Sequence, residues 1–309
     1  MRSKPSSDKV CRYRGAWFFT LALLVPGFWG ASGQAEAAEH GGEELKRLVL
    51  VAGTPSHGRG QHEHNAGVRL FADCLGEVSG LEVKAYYNGW PEDADAFAGA
   101  DGILLYMDGG GRHPILRGER LAEMERFMAR GVGLAAFHFA VEVPADQAGG
   151  LFQDWIGGYY ETRFSVNPIW TAEFKELPDH PITRGVAPFS IRDEWYFNIR
   201  FRPDEEGIVP ILQAKPSDDT RDGPYVHPQG PYPHIVEAKG RIETLAWAVE
   251  REDGGRGFGF TGGHFHENWG DENFRKLALN ALVWITGAEV PAGGVECSVT
   301  EQYLQEHLD

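Results

Sequence analysis

The run Lys46-Arg-Leu-Val-Leu-Val-Ala-Gly53 is apolar from Leu48 onward at odd and even positions alike, so a strand formed there has no face to offer to water. That is the pattern of a parallel strand buried on both sides, and it demands helices above and below a sheet. The following segments keep to this plan. A polar Gly- and His-rich loop leads into a helix over about 65–78, with Val68, Leu70, Phe71, Cys74 and Leu75 facing inward. Residues 81–87 alternate as a second strand, and 101–107 form a third. An amphipathic helix over 117–130 is stopped by Gly131, and the next strand ends at His138. Strands alternating with helices at this spacing predict a doubly wound, mainly parallel α/β sheet.

After about Leu151 the rhythm changes. Segments 164–174, 190–201, 208–214 and 234–250 read as extended, with Pro and Gly between them, and predict an antiparallel extension of the same sheet rather than a second domain. Residues 256–261 return to a buried strand and 273–286 form a closing helix. The tail, 288–309, has few apolar anchors and is expected on the surface. Residues 218–233, rich in Gly, Pro and Tyr, are expected to be a mobile loop.

The N-terminus reads as a leader. Arg2, Lys4, Lys9, Arg12 and Arg14 precede an apolar stretch from Ala16 to Phe28, and Ala35-Glu36-Ala37 gives a cleavage signature, so residues 1–37 are expected to be a signal peptide and the protein to be exported to the periplasm or medium. The apolar stretch is interrupted by Pro26 and Gly27 and is short for a membrane span. Cleavage would remove five basic and two acidic side chains, so the remainder would carry −19 where the whole chain carries −16. An acidic surface of this kind disfavours nucleic acid and anionic membranes as partners and leaves a neutral small molecule such as a sugar open. Cys74 and Cys297 remain. Cys74, inside a helix, is expected as a buried inert thiol, and a single bridge between the two is the alternative.

Five places could carry chemistry. Loop 54–65, at the carboxyl edge of the first strand, holds His57, His62, Glu63 and His64, but its spacing matches no zinc-finger or H-E-x-x-H pattern and it carries no phosphate-binding glycine signature. His138 ends a strand ahead of small residues, the position that holds the nucleophile in enzymes with a nucleophile elbow. Gly262-Gly-His264-Phe-His266 follows the last buried strand, and two histidines in alternation are expected on one face. Glu194 is a candidate ligand or general base, and Trp195, Tyr196 and Trp269 are candidate walls for a sugar ring, with core packing as the competing use of the tryptophans. Asp108-Gly-Gly-Gly-Arg-His113 could line the same crevice. Strand-end imidazoles suit metal binding or acid–base work, so the expected metal ligands are drawn from His57, His62, Glu63, His138, His264 and His266, with His138, His264 and Glu194 as catalytic groups and a divalent ion, zinc or manganese in kind, as cofactor.

Taken together, these corners resemble the ThuA-like (trehalose utilisation) family of the class I glutamine amidotransferase-like superfamily. The resemblance runs from about Leu48 to Gly287 and is carried by Gly131-Val-Gly-Leu-Ala-Ala-Phe-His138-Phe-Ala140, Asp154-Trp-Ile-Gly-Gly-Tyr159, Asp179-His-Pro-Ile-Thr-Arg-Gly185, Asp193-Glu-Trp195 and Gly262-Gly-His-Phe-His266. Ser56-His57-Gly58 with His62-Glu63 resembles the form in secreted members. The resemblance implies a flavodoxin-like sandwich over 46–287 and a role in carbohydrate metabolism. Where the wider superfamily has a cysteine at the elbow, this chain has His138, which argues against thiol chemistry. The expected activity is therefore metal-assisted hydrolysis, isomerisation or elimination on a sugar or keto-sugar. The alternative is a carbohydrate-binding protein without turnover.

Overall fold

A computed structural model describes residues 45–308. The leader expected over 1–37 lies outside the described residues.

Eleven strands and seven α-helices follow one another among the described residues. They are β1 (Lys46–Ala52), α1 (His64–Leu75), β2 (Leu81–Tyr86), β3 (Gly102–Tyr106), α2 (Arg120–Met128), β4 (Gly133–Phe137), α3 (Gly150–Ile156), β5 (Gly158–Tyr159), β6 (Ile169–Phe174), β7 (Phe189–Glu194), β8 (Arg200–Phe201), β9 (Ile208–Ala214), α4 (Asp218–Asp222), α5 (Pro233–Val236), β10 (Glu243–Glu250), β11 (Arg256–Phe260), α6 (Glu272–Ile285) and α7 (Glu301–Glu306). Seven strands form one sheet in the order β2-β1-β3-β4-β11-β10-β9. The pairs from β2 through β11 are parallel, and β10 and β9 run antiparallel at one edge.

The continuous apolar runs are explained by two cores. Leu48, Leu50 and Ala52 of β1 pack with Leu104, Tyr106, Ala135 and Phe137 on one side, against α1 and α6. Val49 and Val51 pack with Ile103, Leu105, Leu134 and Ala136 on the other, against α2 and α3. Alternate residues of one strand thus feed opposite cores, and the molecule is a three-layer α/β/α sandwich of the flavodoxin-like kind.

The region after Leu151 is mixed. β9 and β10 extend the sheet antiparallel as expected, but β6 and β7 pair as a separate hairpin, and β5 pairs with β8. Helix α3 was not foreseen: its seven residues are too short for a helical period to stand out. The segment expected as a loop holds α4, capped by Ser217, which accepts from the Thr220 N–H at 3.1 Å.

The tail is not a surface strand of chain. Val290, Val295 and Leu304 are buried, and Cys297 is bridged to Cys74 of α1 with 5.4 Å between Cα atoms. The reading of Cys74 as an inert thiol is therefore corrected. The tail covers the outer side of α6, whose Arg275 donates to the Cys297 carbonyl at 2.7 Å and whose Asn280 accepts the Val295 N–H at 2.8 Å. Polar pairing of this kind leaves little hydrophobic signature, so composition alone does not disclose it.

Candidate functional site

In a doubly wound sheet the crevice opens where neighbouring crossovers leave in opposite directions, beyond the carboxyl ends of the strands. Here β1 is flanked by β2 on one side and β3 on the other. The segments leaving β1, β3, β4 and β11 bring His62, Asp108, His138 and His264 to that edge, and Glu194 comes from the end of β7.

Four side chains converge. His62 Nε2 lies 3.1 Å from His138 Nε2 and 3.0 Å from His264 Nδ1, and the last two are 3.3 Å apart. Glu194 Oε2 is 2.8 Å from His264 Nδ1 and 3.3 Å from His138 Nε2. All four are buried. His62 and His138 hold φ near 50°, a left-handed conformation that costs a non-glycine residue about 1–2 kcal/mol and is maintained only where surrounding contacts enforce it.

The surrounding contacts decide which way the rings present themselves. His138 Nδ1 is 2.9 Å from the Thr261 carbonyl, which can only accept, so that nitrogen carries the proton and Nε2 presents its lone pair to the cluster. His62 Nδ1 is 3.1 Å from Asp108 Oδ1, with the same consequence for its Nε2. Asn167 donates to Glu194 Oε1 at 2.9 Å and leaves Oε2 for the cluster. Asp193 accepts the N–H groups of Gly263 and His264 at 2.8 and 3.1 Å, fixing the loop after β11.

Two lone pairs facing each other 3.1 Å apart need a cation between them, either a proton or a metal ion. Burial alone would drive Glu194 up, but hydrogen bonds and charge from His138 and His264 hold it at about 2. Burial likewise opposes a charge on His138, yet the hydrogen bond and charge of Glu194 outweigh it and raise the imidazole above its ordinary value. His62 is lowered, by burial first and by the neighbouring imidazoles second. The cluster is thus built to hold positive charge against Glu194. Its donor set also suits a divalent ion: bonds of about 2.0–2.1 Å at a tetrahedral centre put donors about 3.3–3.4 Å apart, and five donor pairs here lie 2.8–3.3 Å apart, with all four atoms within 4.8 Å of one another. His62, His138, His264 and Glu194 are the residues that could hold such an ion.

The other expected site residues fall differently. His57 is outside the four, partly exposed, stacked on His62 with centroids 3.6 Å apart and joined to Asp108 through Ser56 at 2.8 and 2.9 Å. Together His57, His62 and Asp108 form a second, shallower group. Glu63 turns back on its own loop and accepts the Gly60 N–H at 2.5 Å. His266 does not share a face with His264, because the chain enters a 3-10 turn over His266–Gly270 instead of continuing as a strand. Trp195 and Trp269 are fully buried among Phe260 and Phe274 and do not wall a ligand; the core claims them. Tyr196 does reach the cluster, with its hydroxyl 3.2 Å from His138 Nε2. Sequence reading missed Asn167 altogether, since nothing local marks an amide that acts 27 residues away. Asp108 could be found only as part of a Gly-rich strand-end turn.

The sequence profile of the ThuA family, described as trehalose utilisation, matches residues 48–285. No curated protein matches the chain. Among solved structures, a ThuA-like protein from Bacteroides uniformis superposes with a TM-score of 0.53 at 18% identity, covering 81% of this chain and 94% of that one. A ThuA-like protein from Parabacteroides merdae gives 0.54 at 16% identity, covering 84% and 99%. At such identities the likeness is one of fold.

Proposed function

The chain belongs to the ThuA (trehalose utilisation) family, which carries a carbohydrate-related role, and from that premise we propose that it is a metal-dependent enzyme acting on a sugar or keto-sugar by hydrolysis, isomerisation or elimination. The observation that carries this reading is the convergence of three imidazole nitrogens and one carboxylate at the strand ends, all within 4.8 Å of one another. His62, His138, His264 and Glu194 would hold the ion, and a divalent ion there would polarise a carbonyl or activate water. Asp108 and the Thr261 carbonyl hold the imidazoles of His62 and His138 in the ligating tautomer. The Tyr196 hydroxyl, pushed well up by burial and then by the charge of Glu194, stays protonated and offers a hydrogen bond to developing negative charge. With histidine where the superfamily's elbow has cysteine, no thiolate attack is available at position 138.

The clustering supports turnover over sugar recognition alone, because recognition has no need of three convergent imidazoles. Elemental analysis of gently purified protein tests the reading. Stoichiometric divalent metal that is lost in His138→Ala, with the fold retained, is expected; active protein free of metal would reject it. We also propose export of the protein, on the strength of the order of charged, apolar and small residues before position 38. The Cys74–Cys297 disulfide supports an oxidising destination.

A further inference from the structure

The Pro- and Gly-rich stretch 223–231 between α4 and α5 has no part in the proposed chemistry, yet it is tied to the site. Both of its ends are anchored. At its start Arg221 is fully buried with Nη2 2.6 Å from Glu243 Oε1, and the buried Tyr225 donates its hydroxyl to the Arg221 carbonyl at 2.5 Å. Beyond its end the Tyr232 ring stacks on His234 and His234 on Phe164, each pair with centroids 5.7 Å apart, and His234 Nε2 lies 2.9 Å from the Phe164 carbonyl oxygen. The middle crosses to a single residue. The Val226 N–H donates to the Asn167 carbonyl at 3.3 Å and the His227 N–H to Asn167 Oδ1 at 3.0 Å, while the side chains of Val226 and His227 are exposed.

The same amide reaches the histidine cluster. Asn167 Nδ2 donates to Glu194 Oε1 at 2.9 Å, and Glu194 Oε2 faces His264 and His138. An asparagine side chain carries an accepting end and a donating end, and its terminal torsion is soft, so something must fix which end points where. The His227 N–H holds the accepting end and thereby aims the donating end at Glu194. Turned the other way, the amide would set its oxygen against a carboxylate oxygen, and Glu194, 2% exposed, has little water to replace the lost donor. We infer that residues 223–231 are a strap seated on Asn167, and that Asn167 is a positioning residue through which the strap sets Glu194 for ion binding. The coupling is reciprocal: an ion held on Oε2 fixes Glu194, Glu194 fixes the amide, and the amide holds the strap down. The inference rests on the proposed function for the ion.

The test is hydrogen exchange of the purified protein, read by mass spectrometry, with zinc or manganese, whichever the protein takes up, as the probe. Between Tyr225 and Gln229 only Val226 and His227 carry exchangeable backbone amides, because Pro228 has none. These two amides should exchange about tenfold more slowly in ion-loaded than in ion-free protein, a coupling in the usual range for linked sites. In Asn167→Ala they should exchange equally fast with and without the ion, and chelator competition should show the ion held about tenfold more weakly. The His264 amide, bonded to Asp193, should still slow when that variant is loaded, which separates loss of the joint from loss of the ion. Native protein in which the ion slows the His264 amide but leaves those of Val226 and His227 unchanged would overturn the strap and leave the proposed function standing. That comparison needs no variant and holds even where Asn167→Ala does not fold. Native protein that takes up neither zinc nor manganese would overturn both.

Discussion

Replacing Asp108 by alanine should loosen metal binding at a distance of one imidazole ring. Its Oδ1 is the partner that keeps the proton of His62 on Nδ1, 3.1 Å away, and it also accepts from Ser56 at 2.9 Å. Without it, His62 is free to carry the proton on Nε2, the atom that faces His138 and His264, and a protonated nitrogen cannot ligate. Carboxylates placed behind a ligating histidine are worth about 10–100-fold in metal affinity. The Asp108 side chain is 28% exposed, so water screens part of its charge and the low end applies: about tenfold, or roughly 1.4 kcal/mol. Asp108→Asn keeps an oxygen acceptor and should lose less than the alanine variant. Zinc competition against a chromophoric chelator measures both, with circular dichroism as the check that the fold is intact. Zinc held by Asp108→Ala as tightly as by the native protein would refute the argument that this carboxylate sets the tautomer.

Two further outcomes follow from the fold. Reducing the Cys74–Cys297 bridge opens a loop of 223 residues in sequence separation, for which chain entropy gives a ceiling of about 5 kcal/mol; denaturant unfolding with and without reductant should show a loss of about 2–5 kcal/mol, and equal midpoints would show that the tail holds on without it. His113 is buried and neutral, accepting the Ile115 N–H at Nδ1 and donating from Nε2 to the Ala140 carbonyl, and burial lowers it from 6.5 to about 4. Since the unfolded chain takes up that proton first, stability should fall as pH drops from about 6.5 through about 4, and this limb should be shallower in His113→Gln if the histidine is its source.

The parallel half of the fold is legible because burial on both faces writes itself into consecutive residues: Leu48 to Ala52 feed two cores, and the helical segments between such runs mark the sheet as parallel. The same rule says which strand ends could matter, and His62, His138 and His264 stand at three of them. What local pattern could not supply was orientation. His264 and His266 are two residues apart, and whether they share a face depends on whether the chain continues as a strand; it turns instead, and only one reaches the cluster. Trp195 and Tyr196 are neighbours in sequence, yet one lies in the core against Phe274 and the other touches His138, because successive side chains of an extended segment point opposite ways. Glu194 was expected from its place beside aromatics, but its role as the counter-charge to two imidazoles depends on Asn167 and Asp193 holding it and the neighbouring loop, contacts that span 27 and 71 residues. Sequence thus indicates which edge of the sheet bears the chemistry, and long-range hydrogen bonds select, from the histidines gathered there, the few whose lone pairs meet.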